Sequence, residues 1–250
     1  MNLIFTRELK AELADLEQAF KHSHLPWWDN IDNYVNRLKN DFTWVILPPV
    51  VMSIYKYTGH NRQLSIAMSN IFRNCYLAHR IHALVKDDEE GQQHDRELQF
   101  SILLGDYLFG YVLKALVDTR ADSQVDDFTQ MIAEVNQGML VKHKLSGSYE
   151  EVAAKTRAPF YATAFLTAAQ LAGYDSEICK AYHKMGFHFG MSMELGQAPS
   201  LKQRAQFHVH ECEKFFVKVN QRNNIANSNL ERAIRDLHCH FYDRGEFAVV

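Results

Sequence analysis

The stretch LQFSILLGDYLFGYVLKALV, Leu98–Val117, decides the fold. In twenty residues it carries only two charges, Asp106 and Lys114, and its apolar side chains recur on all sides of a 3.6-residue repeat. No alternation of period two is present, so it reads as a helix, and an apolar girdle predicts burial on most faces. Gly105 and Gly110 then mark places where a neighbouring helix approaches closely. A helix of this kind needs others around it. The expected architecture is an all-α orthogonal bundle with a buried helix at its centre.

Working outward, helical spacing recurs from end to end. Leu9, Leu13, Leu16 and Phe20 set the first helix, and His22 to Asn30, with Pro26 and Trp27-Trp28, breaks the chain. Further helices are expected over Ile31 to Asn40, from Pro48-Pro49 to about Tyr57, and over Leu64 to Val85. The prolines suit a first helical turn, and Thr58-Gly59 a terminator. After the charged loop Lys86 to Asp95 and the Leu98–Val117 segment come Val125 to Lys144, Tyr149 to Leu171, Ser176 to Leu195, Leu201 to Val219 and Leu230 to Tyr242. Gly147 and Gly173 stand as terminators between them. This makes about ten helices. With no Gly/Ser-rich or polar linker in 250 residues, residues 1–250 read as one helical domain.

Composition narrows the function. A formal net charge of −3 gives no electrostatic footprint for nucleic acid. Cys75, Cys179, Cys212 and Cys239 lie far apart with no Cys-x-x-Cys pair, which predicts reduced thiols in a cytoplasmic protein. The charged N-terminus is neither a signal peptide nor a span. The near-apolar run Phe42 to Tyr55 is too short to cross a bilayer, so no transmembrane segment is expected. His208-Val209-His210 and His238-Cys239-His240 look like metal ligands, but residues i and i+2 of a helix point about 200° apart. His208 and Cys212 share a face, yet surface histidines remain the expectation over zinc.

Three stretches, in order, resemble the trans-prenyl diphosphate synthase family. Leu103-Leu104-Gly105-Asp106-Tyr107-Leu108 is similar to its Leu-Ala-Gly-Asp-Tyr-Leu. Glu134-Val135-Asn136-Gln137-Gly138, followed by Tyr149-Glu150-Glu151-Val152 and Lys155-Thr156, looks like its Glu-x-x-x-Gly, turn and Lys-Thr pair. Ala172-Gly173 and Met185-Gly186-Phe187-His188-Phe189-Gly190 look like the glycines before its second aspartate motif. Asn229-Leu230-Glu231 through Asp243-Arg244 resembles its closing helix. The resemblance implies an isoprenoid-synthase-like fold and places Gly105, Asp106, Lys155 and Arg96 at candidate substrate-binding positions.

That chemistry ionises an allylic diphosphate, and Mg²⁺ ions neutralise the leaving pyrophosphate. Mg²⁺ takes hard oxygen ligands, which the family supplies from two Asp-Asp-x-x-Asp motifs. Here the first is degenerate. Aligned on His79, Lys86 replaces the first Asp and Glu90 the last; aligned on His82, Ala83 and Leu84 replace the first two. Asp87, Asp88 and Glu90 are its remnant, a candidate metal site expected to be non-functional. The second motif is missing, since no aspartate lies between Asp175 and Asp236. The cationic Lys-Arg-x-Arg-Pro run that holds isopentenyl diphosphate in the family is replaced by Trp44-Val45-Ile46-Leu47-Pro48-Pro49.

The resemblance therefore implies a non-catalytic subunit of a hetero-oligomeric polyprenyl diphosphate synthase in isoprenoid or quinone side-chain biosynthesis. It would complete a dimer and shape the product tunnel, with no catalytic residue or cofactor of its own and Mg²⁺ in the catalytic partner subunit. Two other readings stay open. One is a homodimeric pseudoenzyme that binds an isoprenoid or a protein. The other is an active prenyltransferase or terpene synthase using Asp87, Asp88 and Glu90.

Overall fold

A computed structural model describes residues 4–84, 96–223 and 228–242. These form eleven α-helices and no strand: α1 Lys10–Ser23, α2 Trp28–Arg37, α3 Phe42–Tyr57, α4 Arg62–His82, α5 Arg96–Asp118, α6 Val125–Lys144, α7 Tyr149–Thr156, α8 Ala158–Leu171, α9 Ser176–Leu195, α10 Lys202–Asn223 and α11 Asn229–Tyr242. The all-α bundle stands. One expected helix, Tyr149 to Leu171, is two, because Pro159 cannot donate a backbone hydrogen bond and its ring collides with the carbonyl four residues back. The chain breaks at Arg157, whose φ and ψ are −122° and −53°.

The centre is not the helix expected. Two others fill it, α3 and α8, with 13 of 16 and 11 of 14 residues buried. They pack on each other, and the Tyr55 hydroxyl meets Thr167 Oγ1 at 2.9 Å across the contact. α4 flanks α3, α9 flanks α8, and α10 covers α9. α3 also starts earlier than its prolines suggest. Asp41 caps it by accepting from the Trp44 amide at 3.0 Å, so Pro48 and Pro49 sit inside the helix. Burial repays the lost backbone bonds there, and Ser69 Oγ donates to the Pro48 carbonyl at 3.3 Å.

α5 is one-sided. Leu104, Leu108, Val112 and Leu116 bury one stripe against the bundle, chiefly α4, while Leu103, Tyr107, Leu113 and Val117 are exposed on the other. Gly105 does permit close approach: a methyl group there would overlap the His82 ring. Gly110 faces open space. Leu98–Asp118 also has the length and mean hydropathy, 1.5, of a membrane span, though by composition alone.

The glycines that carried the resemblance have packing reasons. A methyl on Gly138 would stand 2.7 Å from Lys155 Cβ, where α6 crosses α7. Methyls on Gly186 and Gly190, one turn apart on α9, would stand 2.5 Å from the Tyr161 carbonyl oxygen and 2.6 Å from the Tyr161 ring. Gly173 ends α8 at φ +75°, as its type predicts. Gly147 does not play that part. The left-handed residue after α6 is Ser146, at φ +49°, and the Gly147 amide folds back to the Val141 carbonyl at 3.2 Å.

Candidate functional site

The C-terminal ends of α4 and α9, the second half of α6 and all of α7 enclose a cavity of about 190 Å³. α4 contributes His79, Arg80 and Ala83, α6 contributes Met139 and Lys142, and α7 turns Tyr149, Val152 and Thr156 inward. Arg157, at the break before α8, and Glu194, near the end of α9, close it. Proline geometry thus creates the site: the kink that Pro159 imposes puts Arg157 outside both helices and against the cavity.

Beneath the lining runs a polar network. Asp41 Oδ1 accepts from the Tyr76 hydroxyl at 2.8 Å, and Asp41 Oδ2 lies 3.5 Å from Arg80 Nε. Thr43 Oγ1 donates to Glu194 Oε1 at 2.5 Å. The Arg157 guanidinium sits 5.3 Å from the centre of the Tyr76 ring. Burial raises the Glu194 carboxyl above the ordinary carboxylate range, against the pull of Thr43, Arg157 and Arg80. Burial and the neighbouring Arg157 and Arg80 push His79 down to about 3, so it is a neutral imidazole at physiological pH. Burial also holds the Tyr161 phenol well above its usual value, and its hydroxyl has no hydrogen-bond partner among the described residues.

The sequence-predicted residues do not gather here. Lys155 is on α7 but donates to Gln137 Oε1 at 3.1 Å, on the α6 side, and does not line the cavity. Arg96 is the exposed first residue of α5. Gly105 packs on His82, and Asp106 Oδ1 lies 3.3 Å from His82 Nε2. Asp87, Asp88 and Glu90 lie outside the described residues. Ala83, a first-aspartate position in one register, does line the cavity, as an apolar side chain.

Sequence reasoning passed over Asp41, Thr43, Tyr76, Arg80, Arg157 and Glu194. One signal was available: Gly186, Gly190 and Glu194 are spaced i, i+4 and i+8, so they share the face of α9 that meets α8.

The described residues do not fit Mg²⁺. The ion takes near-octahedral oxygen ligands, and among the described residues the one carboxylate lining the cavity, Glu194, already accepts from Thr43 and feels the charges of Arg157 and Arg80. Among the described residues no three His, Cys, Asp or Glu side chains converge. His188 and His208 meet Nδ1 to Nδ1 at 2.9 Å where α9 packs on α10, and His238 Nδ1 lies 2.8 Å from Glu213 Oε1. Cys75, Cys179 and Cys212 are buried free thiols, and Cys239 is exposed.

No family sequence model matches the chain, and no curated protein matches it in sequence. Solved structures do. A decaprenyl diphosphate synthase from Rhodobacter capsulatus superimposes with a TM-score of 0.74 at 12% identity, over 96% of this chain and 98% of that one. The chain has the fold of the trans-prenyl diphosphate synthases. A polyprenyl synthase from Caulobacter crescentus, complexed with calcium and isoprenyl diphosphate, gives 0.70 at 13% identity over 95% and 96%. The geranyl diphosphate synthase small subunit from Antirrhinum majus gives 0.65 at 15% identity over 94% and 99%. At such identities the likeness is one of fold, and function rests on the residues in the cavity.

Proposed function

We propose that this chain is a non-catalytic subunit of a hetero-oligomeric trans-polyprenyl diphosphate synthase, acting in isoprenoid or quinone side-chain biosynthesis. The observation that carries this reading is the cavity between the ends of α4 and α9. In the resembled family two aspartate motifs face each other there across Mg²⁺. Here Arg80, Arg157, Ala83 and a Thr43-bound Glu194 occupy the described part of that position. A guanidinium beside the metal position opposes a divalent cation by like-charge repulsion, which a low-dielectric cleft strengthens.

The other half of the proposal is the partner. The apolar outer stripe of α5, from Leu103 to Val117, is the surface we assign to it, and the likeness to a synthase small subunit supports that assignment. Docked there, the chain completes the dimer and helps shape the product tunnel, while the partner supplies the aspartates and Mg²⁺.

Light scattering at micromolar concentration tests the partner half. The chain should self-associate when alone. It should exchange into a heterodimer when mixed with a synthase from the same genome that carries both aspartate motifs. A clean monomer under both conditions overturns the subunit reading.

A further inference from the structure

His188 of α9 and His208 of α10 meet where the two helices pack, with Nδ1 facing Nδ1 at 2.9 Å. His208 is buried and His188 half-buried. Aromatic rings enclose them: His188 stacks on Phe215 at 5.9 Å, and Phe207 stands edge-to-face with His208 at 5.2 Å. Burial, followed by the field of His188, holds His208 down at about 4, and burial lowers His188 as well. Both rings are therefore neutral at physiological pH. Two neutral imidazoles turned nitrogen to nitrogen either share one proton or hold another electrophile between them. The spacing suits a metal ion. Zn–N bonds of about 2.0–2.1 Å at a tetrahedral angle put two ligand nitrogens roughly 3.3 Å apart, so the rings need part by only a few tenths of an ångström. The donating ring moves its proton to Nε2 through solvent, and both become neutral ligands with no net proton lost.

We infer that the α9–α10 contact is a transition-metal site, in which His188 Nδ1, His208 Nδ1 and the Glu211 carboxylate hold Zn²⁺ or an ion of like softness, with water in the fourth position. Glu211 lies three residues on from His208, on the same face of α10, and its charge reaches both rings. In this structure it pairs loosely with Lys214 at 3.4 Å, and turning its side chain about that position brings it to the ion. Glu150, the other carboxylate facing His208, is held by Arg204 at 2.6 Å. Lys184 and Lys214 oppose a cation here, but Lys184 lies over the Phe215 ring and Lys214 on Glu211. Imidazole nitrogens select such ions over Mg²⁺ and Ca²⁺, and the aromatic surround limits water at the site. A bound ion pins α10 to α9, whose C-terminal end carries Glu194 into the cavity. The inference stands apart from the subunit role.

Titration calorimetry with Zn²⁺ on the full chain, kept reduced, tests this. One Zn²⁺ should bind per chain with a Kd tighter than about 100 µM, and excess Mg²⁺ should not compete. Zn²⁺ should raise the thermal midpoint, and EDTA should reverse the rise. His188→Gln and His208→Gln should each weaken Zn²⁺ at least about tenfold, since even a supporting residue of a metal site is worth that much. Glu211→Gln, at the less buried end of the site, should weaken it severalfold. Melting in EDTA separates lost ligation from lost folding. Co²⁺ supplies a second readout: its visible absorption in the wild type should disappear in His188→Gln. His238→Gln, in the exposed pair with Glu213, is the control and should leave the affinity unchanged. Two results overturn the inference. One is no binding at 100 µM-scale Zn²⁺. The other is wild-type affinity in both His188→Gln and His208→Gln, which makes the bound metal an adventitious ion only.

Discussion

Gly186→Leu is expected to cost the fold a large part of its stability. α8 and α9 pack closely in the core, with Gly186 and Gly190 letting α9 settle onto Tyr161 and Phe165. The first carbon of a side chain at position 186 would stand 2.5 Å from the Tyr161 carbonyl oxygen and under 3 Å from Phe165 Cγ and Cβ. The obstacle is backbone and the root of a buried ring, so no flexible side-chain end can swing away. Overpacking a tight core typically costs 1–3 kcal/mol, and a leucine here should exceed that range, to roughly 4 kcal/mol. Against a typical total of about 5–15 kcal/mol, that removes much of the margin. Urea unfolding followed by circular dichroism measures it. The matched control is Gly110→Leu, where no atom lies within 4 Å, and which replaces a helical glycine. Its unfolding free energy should stay level or rise by up to about 1 kcal/mol. Equal midpoints for Gly186→Leu and the wild type would refute the packing account.

The second large effect concerns association. Leu103 is 66% and Val117 59% exposed, two turns either side of Gly110 on the outer stripe of α5. Glutamates at both positions meet only water in the free chain, so folding should change by less than about 0.5 kcal/mol. In a partner interface they become buried charges without counter-ions, each costing several kcal/mol. The double variant Leu103→Glu/Val117→Glu should therefore weaken association by roughly a thousandfold or more, read as a fall to monomer mass in light scattering. An obligate interface of this class typically buries more than about 2,000 Å² and resembles a core cut in half, which fits an exposed apolar stripe of this length. A double variant that assembles like the wild type would place the interface elsewhere.

α5 also shows what the sequence did and did not reveal. Its helical type and bounds were legible within two residues, because a long apolar segment without period-two alternation admits no other element. Its burial was misjudged, since an apolar composition says nothing about which apolar neighbour covers it. Asp106 and Lys114 were the clue: both fall on the outward side, while Leu104, Leu108, Val112 and Leu116 make the inward stripe. The true centre, α3 and α8, is rich in small and β-branched residues, and α8 was hidden inside a longer expected helix until Pro159 broke it.

The cavity was less legible than the fold. Asp41, the Tyr76–Arg80 pair of α4, Arg157 and Glu194 come from separate parts of the chain, up to 153 positions apart, so no local spacing links the set. Arg157 follows directly on the Lys155-Thr156 pair, and the motif itself points only to the lysine. The structure turns Lys155 toward Gln137 and gives Arg157 the cavity. Glycine positions, by contrast, were legible because close helix crossings at Gly138, Gly186 and Gly190 demand the residue itself.

The central claim is that the chain contributes to prenyl-chain synthesis only through a partner. Condensation of labelled isopentenyl diphosphate with geranyl or farnesyl diphosphate in Mg²⁺ tests it most directly. Three samples are compared: this chain alone, a catalytic synthase carrying both aspartate motifs alone, and the two mixed one to one. The account predicts no product from this chain alone, and a changed rate or product length when it joins the partner. Turnover by the isolated chain that disappears on Asp87→Ala would contradict it.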